Sequence, residues 1–65
     1  SMIAENTRIF GDIVLAGLKK GQALEAISRR IGDHFTSNYG LTVNETDVGV
    51  IVGGYAIYYN SKGLV

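Results

Sequence analysis

The run from Val48 to Tyr59, VGVIVGGYAIYY, carries no charge and mixes β-branched, aromatic and glycine residues, and it constrains this chain more than any other stretch. In a chain of 65 residues it concentrates more apolar surface than one small domain can readily hide. At this size folding buries only roughly 60% of the surface that the unfolded chain exposes, so a lone domain has a narrow stability margin. Small domains compensate with disulfides, a metal or association. The chain has no cysteine, and its single His34 stands among scattered carboxylates without ligand spacing, so neither a metal nor another cofactor is expected. Association with a second copy or with another protein is the remaining staple.

Charge excludes further classes. Six Lys and Arg balance six Asp and Glu, so no net field draws the chain to nucleic acid or to an anionic surface. The N-terminus lacks the basic-then-apolar pattern of a signal peptide, and the longest uncharged run before Lys62 falls short of the about 20 residues of a membrane span. The expectation is a cytoplasmic protein with no membrane contact, and the absence of cysteine fits a reducing compartment. Ser1 ahead of Met2 reads as an expression scar. Residues 1–65 read as one domain.

Glycine joints divide the chain into three segments. In the first, about residues 6–20, Phe10, Ile13, Val14, Gly17 and Leu18 recur at the spacing of one helical face, with Asn6 or Thr7 as the cap. Lys19 and Lys20 suit a helix C-terminus, which Gly21 ends. In the second, about residues 22–38, Leu24, Ile27, Ile31 and Phe35 share a side opposite Glu25, Arg29, Arg30 and Asp33, and Gly40 follows as terminator. The two form a helical hairpin.

The third segment, about residues 43–61, admits two readings. Thr42 with Glu45, and Asn44 with Asp47, each fit a capping box, and a helix would align Gly49, Gly53, Ala56 and Asn60 as a small-residue stripe admitting a close neighbour. The alternative is an α+β fold in which VGVIV and YAIYY pair as a β-hairpin about Gly53-Gly54. Strands apolar on both faces need cover on both, which two helices cannot supply, whereas a helix bears a cost of about 1 kcal/mol per glycine. The balance favours an all-α fold: a helical hairpin plus a third, glycine-rich helix that also mediates self-association.

No catalytic constellation is present. His34 has no patterned nucleophile or second histidine and reads as a surface or half-buried hydrogen-bonded residue, and Asp12, Glu25 and Asp33 are isolated, so an enzyme is not expected. Leu24 to Gly32, LEAISRRIG, resembles in cadence the first helix of a helix-turn-helix, but its second helix would have to begin at about Phe35, and the third segment has almost no base-reading or phosphate-binding side chains. Arg29 and Arg30 could join Lys19 and Lys20 as an anion contact if the hairpin brought them together, although they are expected near opposite ends of an arm and read more simply as a solvated face.

The candidate binding residues are Tyr55, Tyr58 and Tyr59, because tyrosine couples a rigid apolar face to a hydroxyl that tolerates a wet rim. On a helix Tyr55 and Tyr59 share a side with Val48 and Val52, while Tyr58 points elsewhere. The sequence therefore implies a small, oligomeric, non-catalytic binding, inhibitory or accessory protein, with the tyrosines as anchors and Gly49 and Gly53 permitting close approach. A homo-oligomer that sequesters a small anionic or nucleotide-like ligand between protomers is a second reading, with Arg29 or Arg30 pairing the anion. A small DNA-binding regulator is the third, with nucleic acid the least expected partner.

Overall fold

The computed structural model describes residues 1–65 as three helices without a strand: α1 (Met2–Lys19), α2 (Leu24–Tyr39) and α3 (Glu45–Ser61). The hairpin alternative about Gly53-Gly54 is thereby corrected, since one unbroken helix runs through both glycines. A packed helix satisfies every interior backbone group within itself, and two partner helices need then cover only one of its faces.

The boundaries follow from capping chemistry. α1 begins four residues before the expected Asn6, because the Ser1 hydroxyl accepts from the Ala4 N–H at 3.2 Å and starts the helix upstream. Asn6 and Thr7 thus lie inside α1 and do not cap it. The chain leaves α1 through Gly21 at φ 73 and leaves α2 through Gly40 at φ 65, two left-handed positions that glycine adopts without steric cost. α2 starts at Leu24 after Ala23, with no side-chain cap. Of the two capping boxes ahead of α3, that of Asn44 is used: its side chain accepts from the Asp47 N–H at 3.0 Å.

The core is small. Val14 from α1, Ile27 and Ile31 from α2, and Val48 and Val52 from α3 form one buried cluster, ringed by Phe10, Ile13, Leu18, Phe35, Val43, Tyr55 and Tyr59. The helical periodicities thus place the expected residues inward, save Leu24, which at the first position of α2 stays 43% exposed. It lines an open cleft with Glu45 and Gly49 of α3.

The close helix approaches are made by α1. A Cβ at Gly17 would stand 2.6 Å from Ile27 Cγ1, and one at Gly11 would stand 2.8 Å from the Tyr59 hydroxyl. At Gly17 and Gly11 the missing Cβ makes room for Ile27 and for the Tyr59 hydroxyl. Within the protomer the α3 stripe is not crowded in this way: a Cβ at Gly49 would meet only Ser28 Oγ, at an ordinary 3.9 Å, and one at Gly53 would meet nothing within 4 Å, so neither glycine serves a close approach inside the fold.

Candidate functional site

The three clustered tyrosines divide as helix geometry requires. Tyr55 and Tyr59 lie on the core side of α3, and Tyr58 lies outside, 54% exposed. Tyr55 stacks on Phe10 of α1 with ring centroids 5.4 Å apart and planes at 27°, and its ring is 5.8 Å from that of Tyr59. The Tyr59 hydroxyl donates to the Gly11 carbonyl at 3.1 Å, tying the C-terminal half of α3 to the middle of α1. An oxygen inside an α-helix ordinarily serves the helix's own ladder, and the bare Gly11 Cα lets a foreign phenol reach this one as a second donor.

Burial raises the pKa of Tyr59 above its ordinary 10.0, with further contributions from Tyr55, the Asp12 carboxylate and Tyr58. Its folded-state pKa therefore exceeds that of the unfolded chain. The stabilisation is fully present below pH 10, and it is lost as pH rises from there through the folded pKa, since the unfolded chain gives up the proton first. Tyr59→Phe is expected to cost about 1 kcal/mol at neutral pH, through the lost hydrogen bond, and to flatten the decline of stability above pH 10. Urea denaturation of both proteins between pH 8 and pH 11 checks both effects, and an unchanged alkaline slope would show that Tyr59 does not titrate in this way.

The outward side of α3 is as apolar as its inward side. Val50, Ile51, Gly54, Ile57 and Tyr58 follow one another at the spacing of a single helical face. On it Val50 is 72% exposed, Ile51 50% and Ile57 74%. Ile51, Gly54, Tyr55 and Tyr58 line a groove on this side, which a second groove, lined by Ile3, Phe10, Phe35, Ile51 and Tyr55, extends toward the start of α1. Lys62 closes the face at its C-terminal end, with Nζ 5.6 Å from the centroid of the Tyr58 ring. Among the residues of this face the sequence reasoning singled out only Tyr58. The signal that points to the others is that α3 shows two apolar stripes where a surface helix has one.

The basic residues come together only in part. Lys20 and Arg30 line one cleft with Asp12, Gly17 and Gln22, so the hairpin does bring one residue of each pair together. Arg29 lines a different cleft, with Glu25, Ser28, Glu45 and Gly49. Each guanidinium thus shares its cleft with a carboxylate, which neutralises the field an anion would meet. The one salt bridge, Arg8 to Asp12 at 3.0 Å, is a solvated pair one turn apart on α1.

His34 is half-buried beside Phe35 and Tyr39. The Asn38 side-chain amide spans the His34 carbonyl at 2.8 Å and ring Nδ1 at 3.2 Å. The other ring nitrogen, Nε2, is enclosed and has no hydrogen-bond partner. No three His, Cys, Asp or Glu residues gather where they could hold a metal. The turn that a helix-turn-helix requires is also missing, because α2 runs unbroken through Gly32 and Phe35 to Tyr39. No helix is long and apolar enough to cross a membrane.

No protein-family model, curated protein or solved structure matches this chain. The residues themselves carry the functional reading.

Proposed function

We propose that this chain is a non-catalytic binding protein, inhibitory or accessory in role, whose working surface is the outward face of α3 with Tyr58 as its aromatic anchor. The observation that supports this reading is that α3, one of only three helices, has two apolar faces while the fold covers one. A helix apolar all round belongs in an interior, and an uncovered apolar face rimmed by polar residues is the usual mark of an interaction surface. The action is steric: the face occupies a complementary surface, and the rigid protomer needs no side-chain chemistry to do so. A cytoplasmic setting belongs to the same reading and rests on the absence of cysteine.

A photo-crosslinking amino acid at position 58, in the protein expressed in its own cells, is expected to give a discrete crosslinked product. The same group at Glu25, on the polar side of α2, is expected to give none. Tyr58→Ala should change the stability of the free protein by about 0.5 kcal/mol or less, because the ring stands mostly in solvent, while weakening the captured interaction by about 2 kcal/mol. Equal capture from positions 58 and 25, or none from 58, would refute the assignment.

A further inference from the structure

We infer that the partner fitted to the outward face of α3 is a second copy of the same chain, docked antiparallel with the two α3 helices crossing at Gly54; the inference rests on the binding role of that face.

Three features of the face favour this occupant. The first is its ends. Asp47 lies on the stripe two turns before Gly54, Ser61 lies two turns after it, and Lys62 is held at the rim over the Tyr58 ring. Seven residues separate Gly54 from Asp47 and seven separate it from Ser61, which at 1.5 Å per residue is about 10 Å either way. An antiparallel pair centred on Gly54 therefore sets Asp47 of each copy beside Ser61 and Lys62 of the other, twice over. A parallel pair would set Asp47 against Asp47, and the helix dipoles also favour the antiparallel arrangement.

The second feature is the centre. A Cβ at Gly54 would meet no atom within 4 Å, so the absent side chain serves no contact inside the protomer. In the pair it lets the two backbones approach, while Val50 of one copy meets Tyr58 of the other and Ile51 meets Ile57. The stripe is thus its own complement under a two-fold axis, the relation that a symmetric dimer demands.

The third is area. Val50, Ile51, Ile57 and Tyr58 together expose on the order of 500 Å². Exposed Asp47, Gly54, Ser61, Lys62 and Ile3 at the margins add to it, toward the roughly 800 Å² that each partner gives to a stable interface. The protomer has surface to spare: its 4421 Å² exceeds the roughly 4,000 Å² typical of a folded monomer of its 7.0 kDa.

Sedimentation equilibrium over a range of concentrations tests the pair. The expected result is a species of twice 7.0 kDa, that is 14.0 kDa, which dissociates on dilution. Ile57→Glu should stay monomeric at every concentration with unchanged helix content; should it lose helix content, Gly54→Leu supplies the same reading, because its position has room in the protomer and none in the pair. Asp47→Lys and Lys62→Glu should each weaken dimerisation by about tenfold, and together they should restore it. A monomer throughout, a dimer indifferent to both Ile57→Glu and Gly54→Leu, or charge swaps without mutual rescue would each overturn the inference. Crosslinking from position 58 separates the two failures: capture of a different protein leaves the binding reading standing without the self-pairing, and no capture removes both.

Discussion

Ile27→Ala is expected to destabilise the protein by about 3 kcal/mol, within the 2–5 kcal/mol range of buried isoleucine truncations. Ile27 is completely buried, and it sits where all three helices meet, against Gly17 of α1 and within the cluster of Val14, Ile31, Val48 and Val52. A domain of 65 residues has about 3–10 kcal/mol of stability in total, so the loss would be a large share of it. Leu24→Ala, one turn earlier on the same helix, should cost clearly less, about 1 kcal/mol, because 43% of the residue is already exposed and its removal empties no enclosed space. Urea titrations read both as shifts in midpoint at constant slope. Equal shifts for the two would mean that α2 does not present Ile27 to the core as described.

Gly17→Leu should cost about 2 kcal/mol even though leucine is the better helix former by nearly 1 kcal/mol. The Cβ alone would lie 2.6 Å from Ile27 Cγ1 and 2.9 Å from Cδ1, so either Ile27 leaves its buried position or α1 moves off α2. Gly53→Ala makes the control: its Cβ has open space, and the propensity gain should raise stability by up to about 1 kcal/mol. Combining Gly17→Ala with Ile27→Ala should cost less than the sum of the two, because each relieves the crowding the other meets. Additive costs would place the Gly17 effect somewhere other than Ile27.

The helices were legible because their patterns are redundant. In α1 and α2 the apolar spacing, the glycine terminators and the polar opposite faces all agree, and all five residues of the buried cluster, Val14, Ile27, Ile31, Val48 and Val52, fall on the sides that the spacing assigns them. The starts were less legible. Ser1 and Asn6 are equally good caps by residue type, and the choice depends on whether Met2–Glu5 gains enough by packing and by extending the ladder to join α1. The role of the α3 glycines was least legible of all. A small residue admits a neighbour but does not summon one, and the residues that decide which glycine is approached, Ile27 and Tyr59, lie on other helices. The outward face of α3 is hard to read for a related reason: apolar residues fall on every side of this helix, so the stripe in which Val50, Ile51 and Ile57 accompany Tyr58 stands out only once the covered side is placed.

The unequal shares of the three helices in the core give the molecule a hierarchy of openings. α1 contributes only Val14 to the buried cluster and is otherwise held by half-buried Ile13 and Leu18, by the contact of Gly17 with Ile27, by the Phe10–Tyr55 stack and by two tyrosine hydroxyls, from Tyr59 to Gly11 and from Tyr39 to Asn6. Its detachment would leave Ile27, Ile31, Val48 and Val52 still facing one another across α2 and α3. The amide protons of α1 are therefore expected to exchange with solvent through a partial opening ahead of those of α2 and α3.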